Sequence, residues 1–228
     1  DHRDLHSFPT RRSSDLRRSD AYSPGGSTGL RPDHAAVVYA NLIRRTFKDA
    51  AIVLGGIEAS LRRLAHYDYW ADKMKRSILL DSGADLVSYG MGEKSIVAIA
   101  EALDAGLSIK DVTFVDGTVY RASSLEHVYD AVELPGWDQV RQGGAAYAES
   151  FRTQYDNADP FLGRRLVERY SDHEFIVQNP PAEPLSREEL DAVYALPYAC
   201  AWHPSYDARG GVPALSEVKY SITSSRGC

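Results

Sequence analysis

Ala51-Ile52-Val53-Leu54-Gly55-Gly56 decides how the fold is read. Four apolar residues in a row, closed by two glycines, have the form of a strand buried on both faces, as in a parallel sheet, rather than of a strand with one wet face. Upstream, Pro32 suits a first helical turn, where a missing N–H costs nothing. Ala36, Tyr39, Ile43 and Phe47 then recur at helical spacing and predict a helix from about Asp33 to Phe47. Downstream, Ala59 to Leu64 restarts helix, with Glu58 placed to pair with Arg62 one turn on. A second strand, Asp85-Leu86-Val87-Ser88-Tyr89, ends in Gly90-Met91-Gly92 and leads into a helix with Ile96, Ile99 and Leu103 on its apolar face. Thr113-Phe114-Val115 reads as a third strand. Helices alternating with strands in this way predict an α/β fold with a mainly parallel open sheet and additional helices.

Beyond Arg121 the strand signals thin out. Ser123 to Glu126 fits a capping box for a helix through Val128 and Val132, stopped by Pro135-Gly136. A helix from Trp137 to about Tyr155 follows, interrupted at Gly143-Gly144, and Phe175-Ile176-Val177 is a short strand. Ser186 as cap with Glu189 reaching back, and Leu185 placed to staple Leu190, marks a further helix that ends before Pro197. Val218 to Thr223 reads as a last strand.

Composition narrows the function classes. The chain has 228 residues, is 43% hydrophobic and carries a net charge of −6. That is too apolar for a disordered chain, and no apolar run approaches the ~18 residues of a membrane span. With no basic cluster to neutralise phosphates, nucleic acid is not the expected partner; a small molecule is. Two cysteines, Cys200 and Cys228, and no secretory signal point to a cytoplasmic protein. Residues 1–16 stand apart. Phe8 to Asp15, back-translated as TTC CCT ACA CGA CGC TCT TCC GAT, resembles a sequencing-adapter oligonucleotide read in frame, so an artefactual leader is expected there. The reading frame is expected to be cut at both ends.

Several groups bear on chemistry. Gly90-x-Gly92-x-x-Ser95 follows a strand and opens a helix, as a phosphate-cradling turn does, but Glu93 in the first turn repels an anion; a simple glycine-lined turn with a dipole-favoured carboxylate is the other reading. His66-Tyr67-Asp68-Tyr69-Trp70, with Asp72, offers metal ligands and stacking faces, or else a helix-turn packed on the sheet edge. His203-Pro204-Ser205-Tyr206 poses the same choice between site and turn. Cys200, between two alanines, reads as a small core residue, whereas Cys228 follows Arg226-Gly227 where a thiolate projects beyond a strand end.

Long words in this chain resemble the N-terminal part of the YgiQ-type radical S-adenosylmethionine (SAM) family. They are Asp20-Ala21-Tyr22-Ser23-Pro24-Gly25-Gly26, Leu54 to Arg63, His66 to Trp70, Tyr89 to Glu93, Gln178-Asn179-Pro180-Pro181, Leu196-Pro197-Tyr198, His203 to Tyr206 and Ser221 to Cys228. The resemblance implies an N-terminal α/β domain over 17–212 and, over 213–228, the truncated first strand of a partial (β/α) barrel. It implies that Arg226-Gly227-Cys228 opens a C-x-x-x-C-x-x-C motif, with Cys228 the first of three thiolates that hold a [4Fe-4S] cluster. The cluster would chelate SAM and, given an electron from a donor such as flavodoxin or ferredoxin, cleave it to a deoxyadenosyl radical. The other two cysteines are not in this sequence, so the chain alone is expected to hold no cluster and to be inactive. The glycine turns are also similar to those of cobalamin-binding domains that precede other radical SAM barrels. The D-x-H-x-x-G segment of those domains is absent, so a cobalamin-domain-like shape without cobalamin is expected.

Two functions therefore compete: the front domain of a radical SAM enzyme, which caps the barrel mouth and helps define an unknown substrate, or a stand-alone nucleotide- or corrinoid-binding module using the glycine turns. Deleting residues 1–16 should leave the thermal midpoint unchanged in a melting experiment; a drop of several degrees would show that the leader packs on the fold.

Overall fold

The computed structural model describes residues 19–222, so the leader, Thr223 and Cys228 lie outside the described residues. These fall into two compact units, one spanning 36–185 and the other assembled from 19–35 together with 186–222.

The larger unit is built on a six-stranded sheet. Its strands are β1 (Val53–Leu54), β4 (Leu86–Ser88), β5 (Thr118–Ala122), β8 (Glu174–Gln178), β7 (Arg165–Ser171) and β6 (Ala131–Glu133), in that spatial order; β2 (His66–Asp68) and β3 (Lys73–Lys75) form a separate hairpin. As expected from the two apolar runs, β1 and β4 are parallel neighbours, with Val53 opposite Leu86 and Leu54 opposite Val87. The sheet as a whole is mixed rather than mainly parallel: β6 pairs parallel with β7, but β4 with β5, β5 with β8 and β7 with β8 are antiparallel. The mixed order departs from the mainly parallel sheet expected of a cobalamin-domain-like shape.

Both faces are covered. Along the central strands successive residues divide between two cores: Val87, Val119, Leu166 and Ile176 join one, and Leu86, Tyr120, Val167 and Val177 the other. This is the period-two alternation of a strand whose two sides are both dry. The first core is closed by α1 (Ala35–Thr46), α2 (Gly56–Leu61) and α3 (Ile78–Asp81), the second by α4 (Glu93–Asp104). Arg44 ties α1 to the sheet, donating to Asp85 Oδ2 at 2.6 Å, the oxygen that also accepts from Ile52 N–H at 2.9 Å.

Where the structure departs from the sequence reading, a tertiary partner is the cause. Thr113 to Val115 is a loop and not a strand, with Val115 buried and Phe114 exposed; the strand begins after the Asp116-Gly117 turn, and the carbonyls of Thr113 and Val115 are held by the Asn179 side chain. No helix forms over 123–132: Ser124 Oγ caps only a local turn at Glu126 N–H, and Ala131 to Glu133 add to the sheet beside β7. The helix expected from Trp137 to Tyr155 is two, α5 (Trp137–Val140) and α6 (Ala145–Asp156), parted at Gly143-Gly144 as their sequence suggested.

In the second unit, Ser186 and Glu189 form the expected capping box at the start of α7 (Arg187–Tyr194). Of the residues read as a last strand, Val218 ends α8 (Leu215–Val218) and 219–220 form a turn, with no strand partner among the described residues; Thr223 lies outside them. Asp20 organises the N-terminal segment: it accepts from Arg31 Nε and Nη2, each at 2.8 Å, from Ser23 Oγ and from Tyr22 N–H. These donors, led by Arg31, hold its carboxyl down at about 2. The Pro24-Gly25-Gly26 turn then meets the other end of the chain, with Gly25 N–H on Gly211 O and Ala214 N–H on Ala21 O, both at 2.8 Å. Gly25 has a φ of 63°, and a Cβ there would strike the Arg209 carbonyl. Gly25→Ala should therefore raise hydrogen exchange in 204–214 at least tenfold, about 1.4 kcal/mol of local opening, while β5, β7 and β8 keep their protection.

Candidate functional site

The carboxyl ends of the parallel strands open on a crevice of about 200 Å³ lined by Gly55, Gly56, Ser88, Gly90, Gly92 and Ile96. Parallel strands present their ends to the helix N-termini that follow them, which is why α2 and α4 both begin here. Gly92 is closely packed: a Cβ would lie 3.0 Å from Ser88 Oγ, which is itself 2.7 Å from Ser95 Oγ. The serine of the glycine turn is thus engaged within the fold, since Ser95 Oγ also donates to Gly92 O at 3.1 Å. Glu93 stands in the first turn of α4, where its carboxylate opposes an anion at that helix end. The volume of the crevice also falls below the ~300–1,000 Å³ usual for ligand pockets.

Polar side chains converge more strongly beside it. Arg63, just past α2, donates through Nε to Gln178 Oε1 at 2.7 Å and through Nη1 to Ser60 O at 2.6 Å, and its guanidinium lies 4.9 Å from the centre of the Tyr89 ring. Desolvation lowers the pKa of this arginine. Tyr89 donates to Asn179 O at 2.6 Å, and burial raises its phenol out of the physiological range. Asn179 is saturated: its amide nitrogen reaches Thr113 O, Val115 O and Thr118 Oγ1, and its Oδ1 accepts from Arg165 Nε. The Gln178-Asn179-Pro180-Pro181 word is therefore a polar clamp that joins β8 to the ends of α2, β4 and the β5 turn.

A second chain of hydrogen bonds runs under the β2–β3 hairpin. Ser77 N–H donates to Tyr170 Oη at 2.8 Å, Tyr170 donates to Glu168 Oε2 at 2.5 Å, and the same oxygen accepts from Ala65 N–H at 2.9 Å. Tyr170 is further fixed by stacking on Trp137, with ring centres 5.9 Å apart. Glu168 is fully buried, and its Oε1 makes no hydrogen bond. Desolvation pushes its carboxyl up to about 7, against the opposing pull of the Tyr170 and Ala65 donors. Nothing in the sequence pattern marked this residue, because Arg165 to Ser171 breaks strict alternation, with Leu166-Val167 followed by Glu168-Arg169.

The remaining candidates separate. His66 to Asp68 is the first strand of a hairpin and not a helix-turn; Tyr67 Oη donates to Asp72 Oδ1 at 2.5 Å, and Tyr69 packs edge-on to Trp70. His203 caps the 3-10 turn Pro204–Arg209, its ring nitrogen accepting from Ser205 N–H at 3.2 Å. Cys200 is exposed, with a φ of 49°, and is not the core residue its alanine neighbours suggested; it lies in an irregular segment whose neighbours are also exposed. Cys228 lies outside the described residues. Among the described residues no group of three or more His, Cys, Asp or Glu could hold a metal ion, so they do not form a cluster site. None of the described helices is long and apolar enough to cross a membrane.

Residues 9–221 match the family described as radical SAM N-terminal, and the chain belongs to that family. More particularly, it is similar to proteins designated UPF0313: one from Clostridium botulinum is 51% identical over 212 residues and one from Clostridium perfringens is 52% identical over 217. The matches take in 93% and 95% of this chain but 33% of each relative, so the chain spans about a third of their length. No solved structure matches it.

Glu168 makes stability depend on pH. Its folded pKa of about 7 lies above its ordinary value of 4.5, so its contribution is fully present below pH 4.5 and is lost as pH rises through 7. Glu168→Gln, which mimics the protonated form, should remove about 3 kcal/mol of pH dependence from denaturant unfolding between pH 5 and pH 8. An unchanged pH profile would mean that the carboxyl titrates normally.

Proposed function

We propose that this chain is the front domain of a radical SAM enzyme whose full-length form cleaves SAM reductively to a deoxyadenosyl radical, with one electron supplied by a flavodoxin- or ferredoxin-type donor. Family membership over residues 9–221 carries this reading. The described residues supply no cluster ligands, so the chemistry is assigned to polypeptide outside them, with Cys228 as the first cluster thiolate. The role of the α/β domain is to cap the barrel mouth and help define the substrate. Its two dry cores and the Arg63–Gln178 clamp make it a rigid body suited to that task. The glycine crevice gives less support to a stand-alone nucleotide- or corrinoid-binding module, because Ser95 is engaged internally and the space is small.

Bound iron would favour deprotonation of three thiolates held together, whereas a lone thiol at neutral pH is mostly protonated and leaves most of the coordination unfilled. Anaerobic reconstitution with iron and sulfide should therefore give a full-length relative, but not the 228-residue chain, a brown absorbance that SAM perturbs. Replacing by alanine the cysteine that matches Cys228 should abolish that absorbance, and Cys200→Ala in this chain should leave its spectrum unaltered. A full, SAM-responsive cluster in the variant lacking the Cys228 thiol would overturn its role.

A further inference from the structure

A cavity of about 310 Å³ lies between the end of α2, the first residues of the hairpin and one face of α6. It is of ligand size. Two features of its wall bear on what it could hold. The first is a ladder of aromatic rings, Tyr147, Phe151 and Tyr155, spaced four residues apart so that they share one helical face; Phe151 is 62% and Tyr155 73% exposed. Rings left this open on a helix, with Leu61 across the cavity also exposed, are the surface a partner covers.

The second is Arg63. Its guanidinium is held by an amide oxygen, a backbone carbonyl and a ring face, all neutral, and no carboxylate pairs with it among the described residues. A desolvated cation normally acquires a counter-charge. The cavity wall thus combines stacking faces with an uncompensated positive charge.

We propose that this cavity binds a small planar anion, whose flat apolar body lies on the Tyr147–Phe151–Tyr155 ladder while its carboxylate, sulfonate or phosphate group meets Arg63. The site lies wholly within the 36–185 unit and does not rest on the catalytic reading.

Fluorescence titration with anilinonaphthalene sulfonate tests it, with uncharged phenylnaphthylamine as comparison; the two share rings and an N–H and differ by the sulfonate. One sulfonate probe should bind per chain, about tenfold tighter than the neutral probe. Phe151→Asp, at an exposed position, should weaken sulfonate binding at least about tenfold with an unchanged thermal midpoint, while Leu42→Asp, on the exposed face of α1, leaves it intact. Equal affinity for both probes would overturn the anion site, and binding insensitive to Phe151→Asp would overturn the location. Loss of binding in a full-length relative would mean that another part of the polypeptide covers the ladder, and would also overturn the proposal.

Discussion

The larger unit depends on a buried cation that has no acid. Arg63 sits where α2 ends, and the fold satisfies it with Gln178 Oε1, the Ser60 carbonyl and the face of Tyr89. Each of these comes from a different element, so holding one guanidinium fixes the end of β8, the last turn of α2 and the end of β4 together. A lysine could not do this, because a compact ammonium lacks both the planar fork and the face that lies on a ring. Asn179 extends the constraint by one residue to the loop before β5. The unit has, in effect, two adjacent amide side chains doing what in many sheets is left to apolar packing.

The geometry of the sheet follows from where this clamp sits. Antiparallel β5, β8 and β7 occupy the middle, and a parallel pair flanks them at each side. β8 must run so that Gln178 and Asn179 arrive at the glycine turns, next to the carboxyl end of β4. That requirement sets β8 antiparallel to β5, with Val119 opposite Gln178. The crevice at β1 and β4 is thereby buttressed by polar side chains on one side while its glycines keep the backbone close on the other.

Local chemistry announced the elements whose partners are near in sequence. The Ile52-Val53-Leu54 and Leu86-Val87-Ser88 runs, the helix starting after Gly92 and the Ser186–Glu189 box each carry their cause within a few residues. Arg165 to Ser171 carries no such signal: Glu168 accepts from Ala65, 103 positions away, as well as from nearby Tyr170, and the distant partner leaves no local mark. The site was legible as words and not as an arrangement. Arg62-Arg63 and Gln178-Asn179 stand out in the sequence, yet the contact between Arg63 and Gln178 spans 115 positions. Cys200 misled because flanking alanines suggest packing, whereas its left-handed backbone lies in an exposed irregular segment.

The second unit is closed by bonds between the two ends of the described chain, Gly25 to Gly211 and Ala21 to Ala214. This imposes an order of events during synthesis. The residues of the sheet leave the ribosome as a contiguous block and can complete their pairing while residues 19–35 still lack a partner. The Asp20–Arg31 ion pair is local enough to form at once, and it keeps the waiting turn near its final shape. The Pro24-Gly25-Gly26 turn then acts as a latch, set early in translation and fastened only when the segment around Gly211 emerges, so a chain released before that point leaves it open.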